Sequence, residues 1–194
     1  MNRHPIKKSL WVMACLAQGS VPLFAEESSV AEFTAQEADE QGWRVVDDGV
    51  MGGLSKGRLE ISDEGKLRFS GNLSLENNGG FSSLRTGKLM IDLGGSEGVL
   101  LRVKGDGRRY QMRFNTDARF RSMEVSFSAE FLTQKNQWIE VAVPFNAFSG
   151  SFRGMRLKNE VFDPSKIQRM GILLGDKKAG PFELEIDWIR TYTK

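Results

Sequence analysis

From Trp43 onward, apolar and polar positions alternate in short runs broken by glycine, asparagine and aspartate. Leu59/Ile61, Leu67/Phe69 and Leu73/Leu75 each keep a period of two, the spacing of a half-buried strand. Phe81–Leu84 and Leu89–Leu93 predict two more strands. Val99–Val103 runs into Gly105-Asp106-Gly107, after which Tyr110, Met112 and Phe114 alternate with Gln111, Arg113 and Asn115. Strands at 99–104 and 108–116 around an Asp-Gly turn predict a hairpin. Asp106 has no companions at calcium-loop spacing, so turn chemistry explains it better than a cation. Val125/Phe127 and Trp138–Val143 continue the pattern, and Pro144 closes it because proline cannot donate to a ladder.

Residues 144–167 read as irregular, with Asp163-Pro164-Ser165 set up as an N-cap and one helical turn. Met170–Leu174 is a short apolar strand. In the last strand Phe182, Leu184, Ile186 and Trp188 alternate with Glu183, Glu185 and Asp187, one face buried and the other wet. About ten short strands with glycine-rich turns and almost no helical period predict an all-β fold, an antiparallel β-sandwich. The 13 phenylalanines, with the strand Leu, Ile and Val, suffice to fill the space between two sheets. Trp43, Trp138 and Trp188 each lie in an alternating apolar series and read as core.

The first 25 residues are of another kind. Arg3, Lys7 and Lys8 precede an apolar stretch, Leu10–Ala17, and Leu23-Phe24-Ala25 supplies a cleavage site before Glu26-Glu27. This predicts a secretory signal peptide at 1–25, and with it export, to the periplasm as best guess, with no stable membrane insertion after cleavage. A lipoprotein anchored through Cys15 would need a longer apolar run. Residues 26–42 form a polar leader in which Ser29 either caps a short helix or belongs to loosely packed chain, and 43–194 form a single domain.

Cleavage changes the chemistry available. The whole chain has 27 Lys+Arg and 25 Asp+Glu; without the segment, 24 basic residues face 25 acidic ones, a net charge of −1. No basic nucleic-acid surface is expected. The only His and the only Cys, His4 and Cys15, leave with the segment. That excludes a Ser-His-Asp triad, a cysteine nucleophile, a disulfide and a usual zinc site. No cofactor or metal is expected.

Two glycine-rich stretches remain as candidate chemistry. In 43–57 a strand ends at Asp47-Asp48 and continues through Gly49-Val50-Met51-Gly52-Gly53-Leu54 to Ser55. Neighbouring strand residues point to opposite faces, so the two carboxylates do not readily converge; Asp48 either ties the turn through backbone amides or faces a ligand. No Lys-Ser/Thr follows at P-loop spacing. In 75–85, Glu76, Asn77 and Asn78 beside Gly79-Gly80 form either a polar rim for sugar hydroxyls or a turn. Arg85, Arg102 and Arg113 sit on polar strand faces and either converge on an anion or are ordinary solvated arginines. The candidate ligand-binding set is Asp47, Asp48, Glu76, Asn77, Asn78 and Arg85. Asp48 with Glu76 is the one carboxylate pair to weigh for hydrolysis.

These stretches carry a resemblance. Trp43 with Asp47-Asp48-Gly-Val-Met-Gly-Gly53-Leu-Ser55, then Phe69-Ser-Gly71, Glu76-Asn-Asn-Gly-Gly80-Phe81 and Ser83-Leu-Arg85, resemble the complex I intermediate-associated protein family. The similarity continues through Gly105–Tyr110, Trp138, Val143-Pro144-Phe145, Phe152-Arg-Gly154 and Gly180-Pro-Phe182. The resemblance implies a galactose-binding-domain-like jelly roll without catalysis, and a role like that of proteins assisting assembly of NADH:ubiquinone oxidoreductase, with protein partners. The signal segment departs from the transit peptide of a mitochondrial member. A carbohydrate- or small-ligand-binding module of the cell envelope is the alternative.

Overall fold

The computed structural model describes residues 28–193; the expected signal peptide lies outside them. Thirteen strands form two sheets. The six-stranded sheet holds β1 (Ser29–Glu32), β3 (Lys56–Ile61), β4 (Leu67–Leu73), β6 (Gly98–Gly105), β9 (Trp138–Pro144) and β13 (Gly180–Tyr192) in the order β3-β4-β13-β6-β9, with β1 also on β13. The seven-stranded sheet holds β2 (Arg44–Asp47), β5 (Ser82–Arg85), β7 (Arg109–Phe120), β8 (Met123–Leu132), β10 (Ser149–Phe152), β11 (Met155–Arg156) and β12 (Arg169–Leu174). Its order is β11-β10-β8-β7-β12-β5-β2, and all the strand pairings of both sheets are antiparallel. This is the antiparallel sandwich that the alternation predicts.

The core lies between the sheets. Phe69, Leu101, Val103, Leu184 and Ile186 enter it from one sheet and Tyr110, Met112, Phe114, Phe127 and Ile172 from the other, all fully buried. Each such side chain contributes about 1.5–3 kcal/mol by leaving water. The loop between β11 and β12 is held at one end of the core by Phe162, whose ring stands 5.0–5.5 Å from those of Phe148, Phe127, Phe145 and Phe114. Asp163 accepts from the Ser165 amide at the start of a 3-10 turn over Pro164–Lys166, as the Asp-Pro-Ser spacing predicts.

Several expectations are corrected. Gly105-Asp106-Gly107 does not close a hairpin, because β6 and β7 lie in different sheets. The turn carries the chain across the sandwich. Asp106 pins it by accepting from the Arg108 amide (2.9 Å), the Tyr110 hydroxyl (3.1 Å) and the Glu183 amide (3.0 Å). Leu89–Leu93 is no strand: it makes one bridge, Ile91 to Ile167, and runs along the 164–168 segment. Ser29 caps nothing; it opens β1, and the short helix α1 (Ala35–Glu40) is capped by Thr34 instead. β10 and β11 arise inside the stretch read as irregular.

The tryptophans divide. Trp43 is core, with its ring 5.9 Å from Phe33. Trp188 is equally buried but lies outside the main core, because β13 bulges between Ile186 and Trp188. The extra residue reverses the alternation. Ile189 then points into the main core, and Trp188 joins Leu100 and Tyr192 in a separate small cluster. Trp138 is half-buried among cations, with Lys104, Arg102 and Lys66 at 5.6, 5.7 and 6.0 Å from its ring.

Candidate functional site

The two glycine-rich stretches meet at Asp48, which is fully buried. One carboxylate oxygen accepts from the Ser55 amide at 2.9 Å. The other accepts from the Ser55 hydroxyl at 2.6 Å, the Gly80 amide at 2.6 Å and the Phe81 amide at 3.2 Å. Ser55 Oγ in turn accepts from the Ser74 amide at 3.0 Å. Burial alone would push the Asp48 carboxyl up; the bonds from Ser55, Gly80 and Phe81 outweigh it and leave it below the usual carboxylate value. The glycines make room for this. A Cβ on Gly53 would stand 2.3 Å from Asp48 Cγ, and one on Gly79 2.6 Å from Asp48 Oδ2.

Asp48 therefore has no face left for a ligand, and it leaves the candidate set. Asp47 points elsewhere, as adjacent strand residues do: it accepts from the Gly57 amide (2.9 Å) and the Ser82 hydroxyl, joining β3 to β5. Glu76–Asn78 form an exposed 3-10 turn in which Asn77 and Asn78 both take left-handed backbone, at φ 53° and 59°. The shared left-handed conformation suits asparagine better than most residues. Arg85 stands at the far end of β5 from this turn, about 10 Å beyond Ser82 at strand rise. Arg85 and Arg113 lie on one sheet, whereas Arg102 lies on the other and pairs with Asp187 at 3.1 Å.

Beside the exposed polar turn of Glu76–Asn78, the tied loops also present apolar side chains to solvent. Val50 is 74% exposed, Met51 67%, Leu54 49% and Leu75 44%. The chain from Asp48 to Met51 is a 3-10 turn closed by Gly52 at φ +90°, a conformation that favours glycine. A fully buried ionised carboxylate thus fixes the base of a loop whose tip carries uncovered hydrophobic side chains. The sequence offers Asp48 as a tie of the turn through backbone amides, as found; it does not show that the apolar residues of the loop face outward.

A second feature escaped the sequence reading altogether. Arg108 makes a two-pronged pair with Asp176, Nε to Oδ2 at 3.0 Å and Nη2 to Oδ1 at 2.6 Å, with only 11% and 7% of the side chains exposed. Burial alone would raise the Asp176 carboxyl, but Arg108 holds it below its ordinary value. The pair clamps the start of β7 to the turn before β13.

The sandwich is shared with solved structures of other proteins. The family 11 carbohydrate-binding module of a Clostridium thermocellum cellulosomal cellulase superposes with a TM-score of 0.64 over 87% of this chain and 95% of that module, at 12% identity. An agarase superposes at 0.58 over 87% of this chain and 24% of its own length, also at 12% identity. At that identity the likeness is one of fold.

The chain belongs to the family described as complex I intermediate-associated protein 30, whose model matches residues 31–186. The mouse mitochondrial protein of that name is 30% identical, over 87% of this chain and 57% of the mouse protein. The Drosophila melanogaster one is 25% identical, over 84% and 62%. The chain thus spans about half to two thirds of the length of these relatives. Both relatives, and the probable counterpart in Caenorhabditis elegans, are named as mitochondrial proteins. That overturns the periplasmic placement read from the first 25 residues: the relatives point to a mitochondrial location.

Proposed function

We propose that this chain is a noncatalytic binding module that acts as an assembly factor for respiratory complex I, in keeping with a family named for association with a complex I intermediate. The family match across nearly all of the sandwich carries this reading. The loop geometry supports it. Asp48 is enclosed, so it cannot act with Glu76 as a hydrolytic carboxylate pair. Val50, Met51, Leu54 and Leu75 offer apolar contact to a protein partner, and Glu76, Asn77 and Asn78 form the polar rim beside it.

The test removes the protein from the cell that makes it and separates complex I on native gels. Subassemblies accumulate and the mature complex falls; the wild-type chain restores it, and Val50→Ser with Met51→Ser restores it poorly while folding normally. Unchanged levels of mature complex I without the protein would end the assembly reading. Full rescue by the double variant would end the docking role of the loop tip. The alternative of a carbohydrate-binding module rests on the shared sandwich fold, which does not by itself bring a ligand across.

A further inference from the structure

The outer face of the seven-stranded sheet carries a row of side chains that the pairing of strands, not their order in sequence, brings together. Arg44 on β2 is opposite Arg85 on β5, Arg85 is opposite Gly171 on β12, and Gly171 is opposite Arg113 on β7. The row continues to Ser128 on β8 and Ser149 on β10. Directly opposite residues share a face. The residues alternating with them, Leu84, Ile172, Phe114 and Phe127, are fully buried in the core, so this row faces outward.

Gly171 leaves a gap in the row. A Cβ there would stand 2.4 Å from the Leu84 carbonyl oxygen, so no side chain can occupy it. At the usual strand spacing the Cα atoms of Arg85 and Arg113 are about 10 Å apart, and the Gly171 backbone between them is buried.

The charges in this row are uncompensated. Nearby Arg169 is paired, its Nη1 lying 2.6 and 2.5 Å from the two Glu124 oxygens, although its Nε, like that of Arg113, is buried without a hydrogen-bond partner. Among the described residues no carboxylate lies within 4.0 Å of the guanidinium groups of Arg44, Arg85 or Arg113. Arg44 donates to the Thr86 carbonyl and Arg85 Nε to the Ser83 hydroxyl, each at 3.2 Å; both acceptors are neutral and position the side chains. Arg113 Nε is buried without any hydrogen-bond partner.

A buried, unpartnered donor on a charged group costs free energy, and a fold tolerates it where something else supplies the partner. The electrostatics agree. Burial, and then the nearby charge of Arg85, bring Arg113 down to about 10. Burial, then Arg44 and Arg169, lower Arg85, with Glu124 opposing. Cations that depress one another on one sheet face, with no carboxylate paired to them, attract negative charge.

We propose that Arg44, Arg85 and Arg113 bind a small oxyanion, a phosphate or carboxylate group held by their guanidinium groups on the outer side of the row. Planar guanidinium groups match the oxygens of either group with two parallel hydrogen bonds. The row holds no aromatic ring on which a neutral sugar could stack, which favours an anion over a neutral glycan. The site stands independently of the assembly reading and of the loop tip, since it involves neither.

The experiment titrates the full chain with inorganic phosphate and, separately, with succinate, following heat of binding and thermal unfolding at ionic strength held constant with chloride. At least one of the two anions binds saturably and raises Tm; the tighter one identifies the group. Arg113→Met folds and loses about tenfold or more in affinity. Arg109→Gln, on the same strand but paired with Glu130 on the exposed surface, leaves affinity unchanged. If Arg113→Met does not fold, Arg85→Gln carries the same expected loss. Absence of binding by both anions beyond the chloride control overturns the proposal. So does wild-type affinity in the folded Arg113 or Arg85 variant, or an equal loss in Arg109→Gln.

Discussion

Replacing Asp48 by asparagine keeps the shape of the side chain and removes its charge. The carboxylate accepts four hydrogen bonds, one through Oδ1 and three through Oδ2. An amide has one oxygen. In its better orientation that oxygen takes the Oδ2 position and keeps Ser55 Oγ, Gly80 and Phe81, while its NH2 is turned toward the Ser55 amide, donor against donor. One charge-assisted bond is lost, at about 1.5–3 kcal/mol, and two buried donors go unpaired, at about 1–3 kcal/mol each. With local relaxation, about 3–5 kcal/mol is expected, against a total of about 5–15 for a domain. Equilibrium denaturation in urea at neutral pH measures it. The pH dependence gives a second check. Asp48 is held below its ordinary 3.8 in the folded state, so its ionised form adds stability that is complete above 3.8 and fades as pH falls through the lower folded value. The gap between wild type and Asp48→Asn is therefore constant near neutrality and shrinks below 3.8. A cost under about 1 kcal/mol at neutral pH, or a gap as wide at about pH 3 as at pH 7, would refute the account of this loop.

Other perturbations separate the same forces. Gly53→Ala puts a Cβ 2.3 Å from Asp48 Cγ and is expected to cost about 2–3 kcal/mol or more, whereas Gly49→Ala, with nothing within 4 Å, stays within about 0.5; denaturation curves compare them directly. Arg108→Met strands Asp176 in a largely buried site and is expected to cost about 3–5 kcal/mol, while adding Asp176→Leu recovers much of it; a double variant as unstable as the single one would show that the charge pairing is not what matters. Arg109→Gln removes an ion pair whose side chains are about half exposed, and Tm should barely move, by the equivalent of about 0.5 kcal/mol or less.

Strand period and turn residues were enough to read the sandwich, because alternation reports burial directly. The errors share one cause: alternation says which residues are buried, but not which sheet buries them. Val99–Val103 and Tyr110–Phe114 look like the two arms of one hairpin, yet they do not pair with each other: β6 pairs with β9 and β13, and β7 with the following strand β8 and with β12. The bulge before Trp188 leaves no mark in composition. Glu183, Glu185 and Asp187 keep an unbroken rhythm while the backbone inserts one residue. β1 was missed because its pairing depends on β13, about 160 residues later.

The charged groups show the same limit from the other side. By sequence, Asp48 either ties the turn through backbone amides or faces a ligand, and Arg85 and Arg113 either converge on an anion or are solvated surface residues. Their hydrogen-bond partners decide between these. Asp48 is buried but satisfied, with four donors gathered from two other segments of chain, and such a group stabilises a loop rather than waiting for a ligand. Arg113 is unsatisfied, with a buried donor and only cations beside it in its row. It meets Arg85 because β12, which follows both in sequence, is inserted between their strands and offers a glycine there. Residue type makes both groups candidates, but only the count of donors against acceptors shows which charge is spent on the fold and which remains available to bind.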